Sequence, residues 1–279
     1  LPWRLVETFF CRYISEFTEM SVMCVEIMEI PRWVWMWCLA GALFALAKAL
    51  LLQKEAALTG WHALAFAAAW PGMDVQAWRP SARRVEMPLP WYSGLAALTA
   101  GVLCTWGLAG CWSHPLASGW TGMIGLVLML HFGLFRMLAG FWQRRGLPVR
   151  PLMDQPLLAV TVAEFWRRRW NRAFRDLSHA LIARPVAQRW NGTAARWLVF
   201  LASGLAHELV ISVPAGAGYG LPTAYFALQA AGMECEKRWH LRGHVWAFAV
   251  IALPAFFLFH PPFVERVMLP FLHFLNALP

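Results

Sequence analysis

Ser203-Gly204-Leu205-Ala206-His207-Glu208 places a histidine and a glutamate side by side in an apolar stretch that begins after Arg196. An ionisable group at mid-bilayer costs roughly 2.5–3.5 kcal/mol on insertion scales, so such groups face a cavity or a partner rather than lipid. Histidine can take and return a proton near neutrality, and a placed general base contributes about 10²–10⁴ in rate. Ser203 and Gly204 lie one helical turn earlier on the same face, where small side chains leave room for a reactant. The competing reading is packing: Ser203 and Gly204 let helices approach closely, and His207 and Glu208 hydrogen-bond to neighbours.

A second group of residues is Glu164-Phe165-Trp166-Arg167-Arg168-Arg169-Trp170-Asn171. At helical spacing Trp166, Trp170, Ala173, Phe174, Leu177 and Leu181 share one face, with Arg168, Arg172, Arg175 and His179 opposite. That pattern predicts an amphipathic helix lying in the membrane interface. Asn171 falls on the flank of the apolar stripe, from which it turns inward and orients a reacting carbonyl. The arginines either hold phosphates of an anionic cosubstrate or set topology and bind lipid headgroups.

The elements that must position these residues are membrane spans. The 279 residues are 59% hydrophobic and only 14% charged, whereas a soluble domain is nearer half apolar and a quarter charged. Apolar stretches at 33–52, 61–70, 91–109, 120–135, 197–213, 221–233 and 245–259, with an apolar tail over 261–279, predict an all-α polytopic bundle. Seven spans are expected, or eight if the tail inserts. The net charge of +9 gathers in the loops at 73–90, which carries Arg83 and Arg84, and at 136–196 and 235–243. The positive-inside rule puts those loops in the cytoplasm, with the uncharged turns at 110–119 and 214–220 opposite. This distribution speaks for membrane topology rather than nucleic-acid binding. His207, eleven residues from Arg196, then lies about 16 Å along its helix, near the middle of a ~30 Å hydrocarbon core.

Residues 1–30 differ from the rest. They carry Glu7, Glu16, Glu19, Glu26 and Glu29 without a period and lack the features of a signal peptide. They are expected to be an atypical leader, with the natural start at Met20, Met23 or Met28, and 31–279 to form one membrane-embedded domain. Six cysteines show no C-x-x-C pattern and read as small core residues. His240 and His244 are four apart in a basic loop, and no metal site is expected there. No internal repeat supports an inverted-repeat transporter.

Phe165-Trp166-Arg167-Arg168-Arg169-Trp170-Asn171 resembles the F-W-x-R-R-W-N segment of the wax synthase branch of the membrane-bound O-acyltransferases, and Ser203-Gly204-Leu205-Ala206-His207-Glu208 resembles its S-G-x-x-H-E segment. Trp70-Pro71-Gly72-Met73 and Phe259-His260-Pro261-Pro262-Phe263 are similar to further segments of bacterial members, so the resemblance covers about 33–275. It implies transfer of an acyl group from acyl-coenzyme A to a hydroxyl without an acyl-enzyme, a metal or a bound cofactor. His207 corresponds to the catalytic histidine and Asn171 to the asparagine that positions the thioester or the histidine. Trp166, Arg167, Arg168, Arg169, Trp170, Arg172, Ser203, Gly204 and Glu208 are then expected at the substrates, with Glu208 structural or tuning.

The expected partners are acyl-CoA, a hydrophobic alcohol and membrane lipid. A long-chain alcohol is the first choice of acceptor, ahead of a sterol, polyketide or sugar hydroxyl. The alternative function is a proton-coupled transporter using the His207–Glu208 pair. An Ala-, Trp- and Arg-rich composition suggests a bacterial inner membrane.

Overall fold

The computed structural model describes residues 30–55, 58–79 and 86–279. Leader residues 1–29, Arg83 and Arg84 lie outside the described residues. Every regular element among the described residues is helical. We number them α1 (Arg32–Glu55), α2 (Gly60–Ala68), α3 (Trp91–Cys111), α4 (Pro115–Arg144), α5 (162–169), α6 (172–189), α7 (Gly192–Ala215), α8 (Leu221–Trp239), α9 (His244–Leu258) and α10 (Pro261–Phe274).

The chain is an integral membrane protein. Four described helices, α1, α3, α4 and α7, are long and apolar enough to cross a bilayer, and α9 with α10, bent by 58°, makes a fifth if taken as one span. The seven or eight expected spans are not reached on this measure. Helix α2 has nine residues, well short of the ~20 a span needs. Helix α8 ends in Glu234, Glu236, Lys237 and Arg238, so its apolar part is brief.

Small residues set the closest helix contacts. Between α3 and α4, a Cβ on Gly125 would stand 2.7 Å from the Gly101 carbonyl oxygen and 2.2 Å from the Thr105 hydroxyl. Between α7 and α8, a Cβ on Gly204 would stand 2.7 Å from the Thr223 Cα. The packing reading of Gly204 is therefore realised. In lipid such close approach replaces the hydrophobic drive that holds helices together in water.

Two apolar cores result. The larger joins α5, α7, α8, α9 and α10, with Phe165, Phe200, Phe226, Met233 and Val264 among its buried members. The smaller joins the end of α1, α2, the 70–78 segment and the end of α4. Buried Lys48 closes this second core. Its Nζ donates to the Phe66 and Gly72 carbonyls at 2.8 and 2.6 Å and lies 3.5 Å from the Phe66 ring centroid.

The expected amphipathic helix is broken in two. Trp170 is extended and Asn171 is left-handed, with φ +42°. The cause lies outside the helix. The Asp154 amide donates to the Arg169 carbonyl at 2.8 Å, and the Arg172 amide donates to the Leu152 carbonyl at 3.0 Å. These bonds take backbone groups that a continuous helix would use internally. The apolar stripe divides accordingly: Trp166 and Trp170 pack on the larger core, and Ala173, Leu177 and Leu181 on the smaller.

Overpacking a tight core contact costs about 1–3 kcal/mol or more. Gly125→Leu is therefore expected to lower the melting temperature of the detergent-solubilised protein by several degrees. Gly107→Leu, on the open face of α3 where nothing lies within 4 Å of an added Cβ, should leave it near the parent value. Equal melting of the two variants would contradict the α3–α4 packing.

Candidate active site

A cavity of about 1440 Å³ opens between α4, the α5–α6 break, α7, α8 and α9. His207, Ser203, Asn171, Trp166, Trp170 and Arg167 all line it, so the two motifs, 32 or more residues apart in sequence, share one wall. Arg168, Arg169, Arg172, Gly204 and Glu208 do not line it.

His207 is oriented by its own helix. Its Nδ1 lies 2.7 Å from the Ser203 carbonyl oxygen. A carbonyl only accepts, so Nδ1 carries the proton and Nε2 keeps its lone pair. Nε2 has no hydrogen-bond partner among the described residues, and the ring packs 4.6 Å from Phe226. Directly after His207 the helix widens into a π-type turn over Glu208–Ser212, an irregularity frequent at functional sites. Ser203 is buried beside it, and its hydroxyl makes no bond to the imidazole.

Glu208 points elsewhere. Its Oε1 accepts from the Gly220 amide at 3.0 Å, the Thr223 amide at 3.1 Å and the Thr223 hydroxyl at 2.9 Å. These are open donors at the start of α8, so Glu208 caps that helix from its neighbour. The adjacency of His207 and Glu208 is thus two tasks on two sides of α7.

Asn171 is the N-cap of α6. Its Oδ1 accepts from the Phe174 amide at 3.1 Å, a typical cap geometry. With the oxygen engaged, the Nδ2 end of the carboxamide is left over, and it is a donor only. Asparagine also tolerates the left-handed backbone better than most residues.

The arginines separate into two groups. Arg169 is bound to Glu164 at 2.7 Å and to the Asp154 and Gln155 carbonyls. Arg172 is bound to the Asp154 carboxylate at 2.6 Å. These two hold the α5–α6 break together. Glu164 sits at its base, where the Val160 amide and then Arg169 keep its carboxyl below its ordinary range. Arg167 and Arg168 are exposed and have no ion-pair partner among the described residues. The cavity wall adds Arg175, Arg184 and Arg196 with His179. Arg196 is paired with Glu234, Arg175 with Asp176, and Arg184 with no described acid. Asp176 is shifted the other way, upward, chiefly by burial.

Helix α8 supplies the positioning residues that sequence reasoning missed. Gln229, fully buried, accepts from Trp166 Nε1 at 3.2 Å and donates to the Val250 carbonyl at 2.9 Å. Glu236 accepts from the Val162 and Ala163 amides and from Trp246 Nε1. It thereby caps α5. The Tyr225 hydroxyl donates to the Ile251 carbonyl at 3.2 Å. Their spacing, 225, 229 and 236, puts polar groups on one face of a helix otherwise read as a plain span. His131 of α4, in a π-type turn over Leu128–Leu134, also lines the cavity and was not singled out in the sequence.

Residues 149–228 match the membrane bound O-acyl transferase family, and both motifs fall inside that segment. The chain is 33% identical over 72 residues to a long-chain-alcohol O-fatty-acyltransferase of Simmondsia chinensis and 29% identical over 72 residues to a probable long-chain-alcohol O-fatty-acyltransferase 6 of Arabidopsis thaliana. Each alignment covers 23% of this chain and 20% of the relative's length. The chain resembles the wax synthase-like branch of the family, and this segment carries the resemblance. No solved structure matches the chain.

Replacing a cap side chain by Ala costs about 0.5–2 kcal/mol and by Gly only a few tenths. The positive φ of Asn171 adds strain for Ala and none for Gly. Asn171→Ala is therefore expected to melt at a clearly lower temperature than Asn171→Gly. Equal melting temperatures would remove the capping role.

Proposed function

We propose that the chain is an acyl-CoA-dependent O-acyltransferase that esterifies a hydroxyl acceptor, with a long-chain alcohol as that acceptor and His207 as the general base. The observation that carries this reading is His207, whose Nδ1 is engaged by the Ser203 carbonyl and whose Nε2 has no partner among the described residues, lining one cavity with Asn171. The names of the two plant relatives agree with it.

In the proposed reaction His207 Nε2 takes the proton of the acceptor hydroxyl as its oxygen attacks the thioester carbonyl. Asn171 Nδ2 donates to the carbonyl oxygen, where negative charge develops. The tetrahedral intermediate collapses, the C–S bond breaks, and the coenzyme A thiolate takes the proton back from the imidazolium. The products are ester and free thiol, with the imidazole returned to its starting tautomer. Direct attack is supported by the cavity wall, in which no described cysteine takes part and Ser203 has no base at its hydroxyl. The apolar walls from α7, α8 and α9 suit an acyl chain. Arg167 and Arg184, with Arg175, Arg196 and His179 near them, would meet the phosphates, with Arg168 beside them. Arg169 and Arg172 would act by holding the loop.

The transporter reading loses its main support with Glu208 turned to α8, which leaves no His–Glu relay facing the cavity. The composition, rich in Ala, Trp and Arg, supports a bacterial inner membrane as the site, with the arginine-rich end in the cytoplasm.

The test is release of free coenzyme A from a long-chain acyl-CoA, with and without long-chain alcohols. Release should require alcohol, and His207→Ala should reduce it by about 10²–10⁴ while the protein still inserts and purifies. An active His207→Ala protein would overturn the reading. A second expectation concerns the anion. Arg184→Glu should raise the KM for acyl-CoA about tenfold and leave the KM for the phosphate-free N-acetylcysteamine thioester unchanged. Equal effects on both thioesters would remove Arg184 from phosphate recognition.

A further inference from the structure

The segment Phe259-His260-Pro261-Pro262-Phe263 takes no part in the reaction above. It forms the break between α9 and α10, where the chain bends by 58°. His260 fixes that break. Its ring is fully buried, and its Nδ1 accepts from the Phe263 amide at 3.3 Å. Gly218 packs so closely on the ring that a Cβ there would stand 2.3 Å from Nε2. Phe259, the residue before, leaves helical geometry with φ −108° and ψ +67°.

The break sets where the cavity ends. Going away from the arginine-rich end, its lining stops at His207 on α7 and at Tyr225 on α8. Along α9 it steps from Phe248 through Ile251 and Ala255 and finishes on Phe259. The Phe259 ring meets Trp120 of α4 edge-on at 5.7 Å and Phe263 at 6.0 Å. Neither of those two rings lines the cavity, so Phe259 stands between the chamber and the packed rings behind it.

Contacts tie this end to the reacting histidine. The His207 ring packs 4.6 Å from Phe226, and the hydroxyl of the adjacent Tyr225 donates to the Ile251 carbonyl at 3.2 Å. Phe259 lies eight residues beyond Ile251, about 12 Å along the helix, on the side away from His244 and the basic loop. One leaflet of a ~30 Å hydrocarbon core is about 15 Å deep. The arm from His207 to Phe259 is therefore shorter than the extended chain of a membrane lipid.

We infer that Phe259 closes the acyl-chain arm of the chamber and sets the longest acyl group the enzyme accepts. This rests on the acyltransferase reading and adds its donor specificity. With the phosphates among the arginines and the thioester carbonyl at His207, the acyl chain continues from the carbonyl away from the phosphates, along α9 toward Phe259. Ala255 keeps the arm open one turn earlier, where its carbonyl accepts from the Phe259 amide at 2.9 Å. An apolar pocket discriminates by about tenfold or more for each methylene that it cannot house or leaves unfilled.

The experiment measures coenzyme A release by the full chain in lipid nanodiscs, with hexadecan-1-ol as acceptor and stearoyl-CoA or lauroyl-CoA as donor. In Phe259→Ala the stearoyl-to-lauroyl ratio of kcat/KM should rise about tenfold or more over the parent. In Ala255→Phe, which fills the same arm nearer His207, it should fall by a similar factor. Because each ratio is taken within one preparation, partial misfolding cancels, and the second variant reads the arm if the first does not purify. The preference between hexadecan-1-ol and decan-1-ol should stay at the parent value in both. An acyl ratio that does not move, or a shift in alcohol preference alone, would overturn the inference and leave the acyltransferase reading standing. No release by the parent with either donor would overturn that reading, and this inference with it.

Discussion

A helix that begins inside an apolar bundle leaves backbone N–H groups that neither lipid nor the helix itself can satisfy. This chain breaks its helices often, and side chains close most of the breaks. Glu236 closes the start of α5, Asn171 that of α6 and Asn191 that of α7. Glu208 closes the start of α8. His260 accepts from the Phe263 amide at the start of α10, while its Nε2 stands 3.5 Å from the Ser212 hydroxyl. Most polar residues that look expensive in the sequence are accounted for by this constraint.

What remains after the caps is short and chemically pointed. His207 keeps one nitrogen, because the Ser203 carbonyl takes the other. Asn171 keeps its amide NH2, because its oxygen is the cap. Both residues line the same cavity. The break at Trp170–Asn171 is what brings them there. A continuous helix would have left Asn171 without its left-handed turn and its cap. The ion pairs of Arg169 with Glu164 and of Arg172 with Asp154 hold that break together. Arg167 and Arg184 are left without an acidic partner among the described residues.

Much of this was legible in the residues. Helical class and membrane spans follow from apolar runs, and His207 stands out as an ionisable group among them. The resemblance of the two ordered motifs to one family paired Asn171 with it, and both line one cavity. Other parts depend on contacts distant in sequence. The periodic stripe from Trp166 to Leu181 is real, but bonds from Leu152 and Asp154 split it between two cores. Nothing within the stripe announces that. The Arg run looked uniform, yet Asp154, eighteen residues away from Arg172, occupies one member. Glu208 shared the suspicion that fell on His207 because adjacency in sequence hides the 100° turn between neighbours on a helix. Gln229 and Glu236 were visible as polar positions in α8, but their partners at Trp166 and Val162 lie 63 and 74 residues away.

The central claim is that one chamber brings a thioester carbonyl between the Asn171 amide NH2 and the bare nitrogen of His207. An experimental structure of the full chain with a non-hydrolysable acyl-CoA analogue, whose thioester sulfur is replaced by methylene, tests it most directly. The analogue's carbonyl oxygen should lie within hydrogen-bond distance of Asn171 Nδ2, with His207 Nε2 facing the carbonyl carbon across a space that admits a hydroxyl. Its phosphates should sit among Arg167 and Arg184. An analogue bound outside this chamber, or with its carbonyl remote from both side chains, would contradict the account.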